Sequence, residues 1–245
     1  MLNVTRANSF GLGAALFLGV LVSCGSAYAS ETGTDAKIHR VAAASAENFQ
    51  PIEPPEDADQ WYIGSLPDEP YNIPLVDRSR LRADLRRETV DAPEDYPANT
   101  IVVDIDGRHL FYYQGDGTAI RYGIGVGRRG FSWQGVASVG RKGAWPEWIP
   151  TATMRSIIPD LPASMEGGLD SPLGARALYL YQNGQDILFR IHGTNEPWTI
   201  GEQVSSGCVR MLNEDIVDLY NRVSIGAKVI LHNSKYMATR VSQSG

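Results

Sequence analysis

The chain has 245 residues and a formal net charge of −6. That length suits one main domain plus an extension, and the acidic balance excludes the basic footprint of a nucleic-acid binder. The charge is uneven. Residues 31–98 hold 15 Asp/Glu against 7 Lys/Arg, and residues 99–245 hold 13 against 14, so an acidic arm precedes a near-neutral domain.

Residues 1–29 have the layout of an export signal. Arg6 is the only charge, Phe10 to Ser23 is apolar, and Ala27-Tyr28-Ala29 fits a small-x-small cleavage site before Ser30. Leu21-Val22-Ser23-Cys24 offers an alternative: it resembles the lipobox of bacterial lipoproteins, with the signal ending at Ser23 and a lipid on Cys24. The apolar stretch is short of the roughly 20 residues that a membrane-spanning helix needs. Both readings predict a protein exported to the periplasm or cell envelope, with membrane attachment only through a lipid on Cys24.

Residues 30–98 read as an arm or linker rich in acids and proline. Within it Trp61, Tyr62 and Ile63 form an apolar island able to dock on the domain, and the spacing of Leu81 and Leu85 predicts a short helix over 76–90. From Asn99 the pattern turns to strands. Ile101 to Ile105 and Arg108 to Tyr113 flank Asp106-Gly107, a hairpin signal that calls for positive φ at both central residues. Thr118 to Val126 follows, interrupted by Gly123 and Gly125. Residues 177–181 and 187–191 pair around Asn183-Gly184, and Lys228 to His232 closes the series. One helix is predicted at 213–223, with Asn213 as its N-cap, Glu214 and Asp215 at its positive end, and Ile216, Leu219, Tyr220 and Val223 on one face. Strands first and a single late helix predict a mainly-β sandwich or barrel-like domain over 99–232, followed by a tail at 233–245. Residues 127–176 are less regular and rich in Gly, Pro and Trp. They read either as a lid over a cleft or as a packed surface loop.

Cys208 is the one thiol left after export. It is either a buried small hydrophobe or a nucleophile. Its context, Ser205-Ser206-Gly207-Cys208-Val209-Arg210-Met211, favours the nucleophile, and His192 is the natural proton acceptor. Gly207 permits a tight turn in which the amides of Gly207 and Cys208 form an oxyanion hole. Sixteen positions separate His192 from Cys208, so a loop must fold back to join them. His39, His109 and His232 are weaker candidates, and no group of residues has metal-ligand spacing. Gly123-x-Gly125-x-Gly127 lacks the helix that a phosphate loop requires, so no nucleotide cofactor is expected.

His192-Gly193-Thr194 together with Ser205 to Met211 resembles the active-site signature of the bacterial L,D-transpeptidases, the YkuD-type catalytic domain. The likeness runs over roughly residues 99–232 and includes Thr100 to Asp104 and Pro172 to Leu178. Many members carry His before the Gly-Cys pair, where this chain has Ser206. The resemblance implies a mainly-β domain acting on peptidoglycan stem peptides at the bond between the L-centre of a diamino acid, usually meso-diaminopimelate, and D-alanine. It implies Cys208 as nucleophile forming a thioester, His192 as base, Gly207 acting through its backbone, and no cofactor or metal. Arg210 would hold the substrate carboxylate or brace the loop by a salt bridge. Ser206 could orient the loop or His192, or serve the turn alone. Thr194 and Asn195 could bind substrate or shape the turn after His192. Tyr179, Trp145 and Trp148 are candidates for the cleft wall. The acyl acceptor would be an amine of a second stem or of an envelope protein. Water in its place would give a carboxypeptidase or hydrolase, and an idle wall-binding module is the non-enzymatic alternative.

Overall fold

The computed structural model describes residues 53–127, 133–205 and 207–232. The signal, Cys24, His39, Ser206 and the tail lie outside the described residues. Thirteen strands are described. They are β1 Tyr62–Leu66, β2 Ile73–Val76, β3 Glu88–Asp91, β4 Thr100–Asp104, β5 His109–Tyr113, β6 Thr118–Gly123, β7 Val126–Gly127, β8 Gly135–Ala144, β9 Arg176–Gln182, β10 Gln185–His192, β11 Gln203–Ser205, β12 Val209–Arg210 and β13 Lys228–His232. Nine of them form one sheet in the order β12-β10-β9-β8-β13-β4-β5-β6-β3, and β1-β2 and β11-β7 form two-stranded ribbons. The mainly-β expectation holds. The late helix spans Asn213–Arg222, and a six-residue helix at Ala152–Ile157, capped by Thr151, adds to it.

Alternation along the strands explains the packing. Leu178, Leu180, Ile191, Val209, Val139 and Val229 are almost wholly buried and cluster with Ile216 and Leu219 of the helix and Val223 at its C-cap. Each such side chain contributes about 1.5–3 kcal/mol on burial. Lys142 lies in β8 and donates from Nζ to the carbonyls of Tyr220 (2.5 Å) and Val223 (2.9 Å), satisfying the helix C-terminus.

The first hairpin differs from expectation. Its positive φ falls on Arg108, at 60°. Asp104 Oδ1 accepts from the Gly107 amide at 3.0 Å, and this side-chain contact draws the connection into a four-residue turn, Ile105 to Arg108. The Asn183-Gly184 turn matches its reading, with φ of 52° and 77°. Strand β8 lies inside the segment read as irregular. Gly140 hides it in sequence, because a side chain there would meet the Tyr181 ring and the register slips between Val139 and Arg141.

No helix forms over 76–90. Two 3-10 turns, Arg78–Arg80 and Ala83–Leu85, lead instead into β3, which pairs antiparallel with β6. The part of the arm from Tyr62 onward therefore supplies a ribbon and the edge strand of the main sheet, rather than a free linker. Its attachments are polar and specific. Arg176 grips Asp68 through both guanidinium nitrogens (2.6 and 2.9 Å), and Trp145 Nε1 donates to the same carboxylate at 2.8 Å. Those hydrogen bonds, led by Arg176, hold the Asp68 carboxyl below its ordinary range despite partial burial. Val76 and Leu81 of the arm pack with Ile200 and Leu212, beside Trp61.

Candidate active site

The site begins with a register. β12 runs parallel to β10, pairing Ile191 with Val209 and His192 with Arg210. Ile191 and Val209 both point into the core. Alternation then turns Arg190, His192 and Arg210 to the opposite face, and Cys208 stands just before β12, level with Arg190. A backbone hydrogen bond from Arg190 reaches the Cys208 thiol. The chain arrives at Cys208 through Gly207, whose φ of 134° disfavours a side chain. A Cβ on Gly127 would lie 2.7 Å from the Gly207 Cα, so the two backbones pack in direct contact. The glycines of the 123–127 run thus serve close approach rather than phosphate binding.

His192 is 5% exposed, and its Nδ1 lies 2.6 Å from the Gly193 carbonyl. A carbonyl only accepts, so Nδ1 carries the proton and Nε2 holds the lone pair. Burial pushes the imidazole down to about 3, and the charges of Arg210 and Arg190 act in the same direction. Cys208 is half-buried. Desolvation of its sulfur raises the thiol, while the Arg190 hydrogen bond and the charges of Arg190 and Arg210 pull the other way without prevailing. Burial thus disfavours both charged forms, leaving a thiol at Cys208 and a neutral imidazole at His192 whose Nε2 is unprotonated at neutral pH.

Arg210 Nη1 donates to Glu196 Oε2 at 2.6 Å and lies 3.4 Å from Thr199 Oγ1. Its guanidinium braces the turn at 196–199, which is the salt-bridge reading of this residue. Thr194 is buried. Its hydroxyl accepts from the Glu196 amide at 3.0 Å, and its carbonyl accepts from Asn213. It shapes the turn after His192, and Asn195 donates to the Asp170 carbonyl. Trp145 is buried among Ile73 and Ala175 and is edge-on to Tyr71, so it is a packing residue rather than cleft wall. Trp148 is half-buried and exchanges backbone hydrogen bonds with Met165 across the loop. Tyr179 is buried between two arginines, Arg141 and Arg190. His109 contacts the Asp84 carbonyl within the fold, and Ser206 lies outside the described residues. Among the described residues no group of His, Cys, Asp and Glu is arranged to hold a metal, and no helix is long and apolar enough to cross a membrane.

Sequence reasoning missed one residue that organises the site. Asn213 was expected to cap the helix. Leu212 occupies the cap position, and the Asn213 side chain turns to the loop that follows His192. Its Oδ1 accepts from the amides of Ala175 (2.9 Å) and Thr194 (3.3 Å), and its Nδ2 donates to the Thr194 carbonyl (2.9 Å). A Cβ on Gly174 or Gly193 would lie within 2.2 Å of that Oδ1, so both positions leave room for the amide. The local signal, Asn at a helix start, is the same for a cap and for this tie.

Comparison with known proteins bears on the same residues. A family model described as the L,D-transpeptidase catalytic domain, YkuD, matches residues 98–231. The Escherichia coli K12 proteins named probable L,D-transpeptidases YbiS and YcfS are 39% and 37% identical to the chain, each over 148 residues. These alignments cover 57% of this chain and 46% of each relative, so the chain spans about half the length of those relatives. A solved chain from Brucella melitensis, named as a probable carnitine operon oxidoreductase, is 43% identical over 61% of this chain and 95% of its own, with a TM-score of 0.43. L,D-transpeptidase 3 from Mycobacterium tuberculosis is 19% identical over 54% of this chain and 60% of its own, with a TM-score of 0.38. The stretch that holds β10, β12 and the loop between them lies within the matched domain, and the chain belongs to the YkuD family of L,D-transpeptidase catalytic domains.

Proposed function

We propose that the protein is a cysteine-dependent L,D-transpeptidase that acts on peptidoglycan stem peptides outside the cytoplasm. In the first half-reaction Nε2 of His192 takes the thiol proton as Cys208 Sγ attacks the carbonyl of the diamino acid. The S–C bond forms, the C–N bond to D-alanine breaks, and the proton held by His192 passes to the departing amine. In the second half-reaction an amine of another stem, or of an envelope protein, attacks the thioester. It loses its proton to His192, and that proton returns to the sulfur as the amide forms. Dividing one hard acyl transfer into two easier steps is the reason for the covalent intermediate.

The observation that carries this reading is the register of β12 against β10. It sets Cys208 level with Arg190, whose backbone hydrogen-bonds the thiol, two residues from an imidazole whose Nδ1–H is fixed on the Gly193 carbonyl, and this supports the pairing of thiol and base. The backbone carbonyl orients the base as a carboxylate does in a Ser-His-Asp triad. The oxidoreductase name of the Brucella chain finds no support in the glycine run, because Gly123 and Gly127 lie in strands β6 and β7.

Incubation with purified muropeptides, read out by product mass, tests the proposal. Dimers formed with loss of D-alanine are expected. Monomers shortened by D-alanine without dimers would make water the acceptor, and no product from a protein with an accessible thiol would overturn the enzymatic reading. The mass of the mature N-terminus tests export, with cleavage before Ser30 or a lipid on Cys24 expected.

A further inference from the structure

The face that carries Arg190 continues sideways across the sheet. Arg190 pairs with Tyr179, and Tyr179 pairs with Arg141, so three neighbouring strands, β10, β9 and β8, present them in one row. Cys208 precedes β12 on the far side of Arg190. The two arginines hold Tyr179 from the two strands beside it. The Arg141 guanidinium carbon lies 3.4 Å from the ring centroid and that of Arg190 lies 4.4 Å from it. Stacking of this kind fixes a guanidinium plane while leaving its N–H edge to other partners.

The two cations differ in one respect. Arg190 is committed, with Asp186 accepting from both Nη atoms at 2.6 and 2.9 Å. Arg141 is exposed, and among the described residues its guanidinium has no carboxylate partner and no hydrogen-bond acceptor. Lys142 beside it points to the helix face and is satisfied there. We propose that Arg141, stacked on Tyr179, is a subsite for a carboxylate carried by the acyl-donor peptide upstream of the scissile carbonyl. The proposal rests on the assignment of Cys208 as the nucleophile and names what that site selects.

Distance sets which carboxylate. Strands are about 4.8 Å apart, and the Arg141 side chain leans back over β9, so its guanidinium stands about 10 Å from the row position of Cys208. An extended peptide rises about 3.3–3.6 Å per residue. A carboxylate two or three residues upstream of the attacked carbonyl meets the guanidinium, and its fork geometry suits a bidentate contact. Amidation of that carboxylate keeps the shape and removes the charge.

Two measurements on the full chain test this. The first is binding of a synthetic donor stem peptide, with the upstream carboxylate free or amidated, to the Cys208→Ala protein, with Arg141 intact or changed to Met. The free acid should bind about tenfold more tightly than the amide when Arg141 is present and equally when it is Met, with Arg141→Lys intermediate. The preference should shrink as salt rises. Arg141→Met weakening both peptides equally would mean that Arg141 only supports Tyr179, and no preference in the presence of Arg141 would mean that no such subsite exists. Either result overturns the proposal. The second measurement is thioester formation, followed by mass, in protein that retains Cys208. Selective binding without acylation would overturn the nucleophile assignment and leave the subsite standing. Acylation at one rate for acid and amide, whatever stands at 141, would overturn the subsite and leave the nucleophile standing.

Discussion

Asn213 and Thr194 are joined by a reciprocal pair of hydrogen bonds, Nδ2 to carbonyl at 2.9 Å and amide to Oδ1 at 3.3 Å. The pair ties the first residue of the helix to the turn that follows His192. A third bond, from the Ala175 amide to the same Oδ1, brings in the strand that flanks β10. The backbone that leaves His192 and the strand that flanks it are thus held by three hydrogen bonds of the Asn213 side chain.

Asn213→Ala removes an acceptor for two backbone amides and a donor for one carbonyl in a tightly packed place. The expected loss of stability is about 1–3 kcal/mol. Acylation of Cys208 should slow by about ten- to a hundredfold, with a smaller change in substrate affinity, because the base loses its fixed orientation. Asn213→Asp should not rescue it, since a carboxylate cannot donate to the Thr194 carbonyl. Chemical denaturation and single-turnover acylation give the two readouts. Wild-type acylation in Asn213→Ala would remove the positioning role.

Burial disfavours both the Cys208 thiolate and the His192 imidazolium, which argues against a preformed ion pair between them. Alkylation of Cys208 by iodoacetamide should therefore climb about tenfold per pH unit from pH 6 until the thiol has ionised. A preformed thiolate–imidazolium pair would label at an almost constant rate over the same range. Cys208→Ala should abolish both labelling and acylation. His192→Ala should abolish acylation while leaving alkylation at high pH.

Glu214 was read as a favourable charge at the helix N-terminus, but the arm covers it. Its Oε1 accepts from the Val76 amide at 3.3 Å, and burial raises the carboxyl from 4.5 to about 7, with the neighbouring Asp215 adding to the rise. Between those values the folded state binds more protons than the unfolded state, so this group's contribution to stability falls as pH rises from 4.5 to 7. Glu214→Gln keeps the acceptor and removes the charge. The variant should exceed wild type in stability at pH 8, by on the order of 2 kcal/mol, with the gap closing towards pH 4.5. His192 acts in the opposite sense: its folded value of about 3 lies below 6.5, so its contribution is present above 6.5 and lost as pH falls. Subtracting the two denaturation curves isolates Glu214, and parallel curves would dismiss the burial argument.

Asp68→Ala should loosen the arm. It leaves the nearly buried Arg176 without its carboxylate and Trp145 Nε1 without an acceptor. The expected loss is about 2–4 kcal/mol. Limited proteolysis should then cut within residues 66–73 before it cuts the sheet. An unchanged cleavage pattern would show that β3 and the apolar contacts of Val76 and Leu81 suffice to hold the arm.

Much of the fold was legible residue by residue. Ile101 to Val103, Leu178 to Tyr181 and Val229 to Leu231 alternate or run apolar as strands do, Asn183-Gly184 encodes its turn, and the helix shows its apolar stripe. These are local signals, set within a few residues by pleat and turn chemistry. The same holds for the chemistry of a thiol after Gly207 and an imidazole at a strand end. Strand β8 was lost to its glycines, and β3 to the arginines and acids before it. Neither shows its pairing partner in its own residues.

What the sequence determined by itself was where a thiol and an imidazole stand along the chain and which segments extend. Tertiary packing decided how they meet. The parallel seating of β12 on β10, Glu196 against Arg210, Asn213 turned from cap to tie, Arg141 over Tyr179 and the burial of Glu214 all join residues at least 14 positions apart in the chain or cover them with a distant segment. Such contacts are chosen by the burial of a shared core rather than by nearest neighbours, so no local pattern records them.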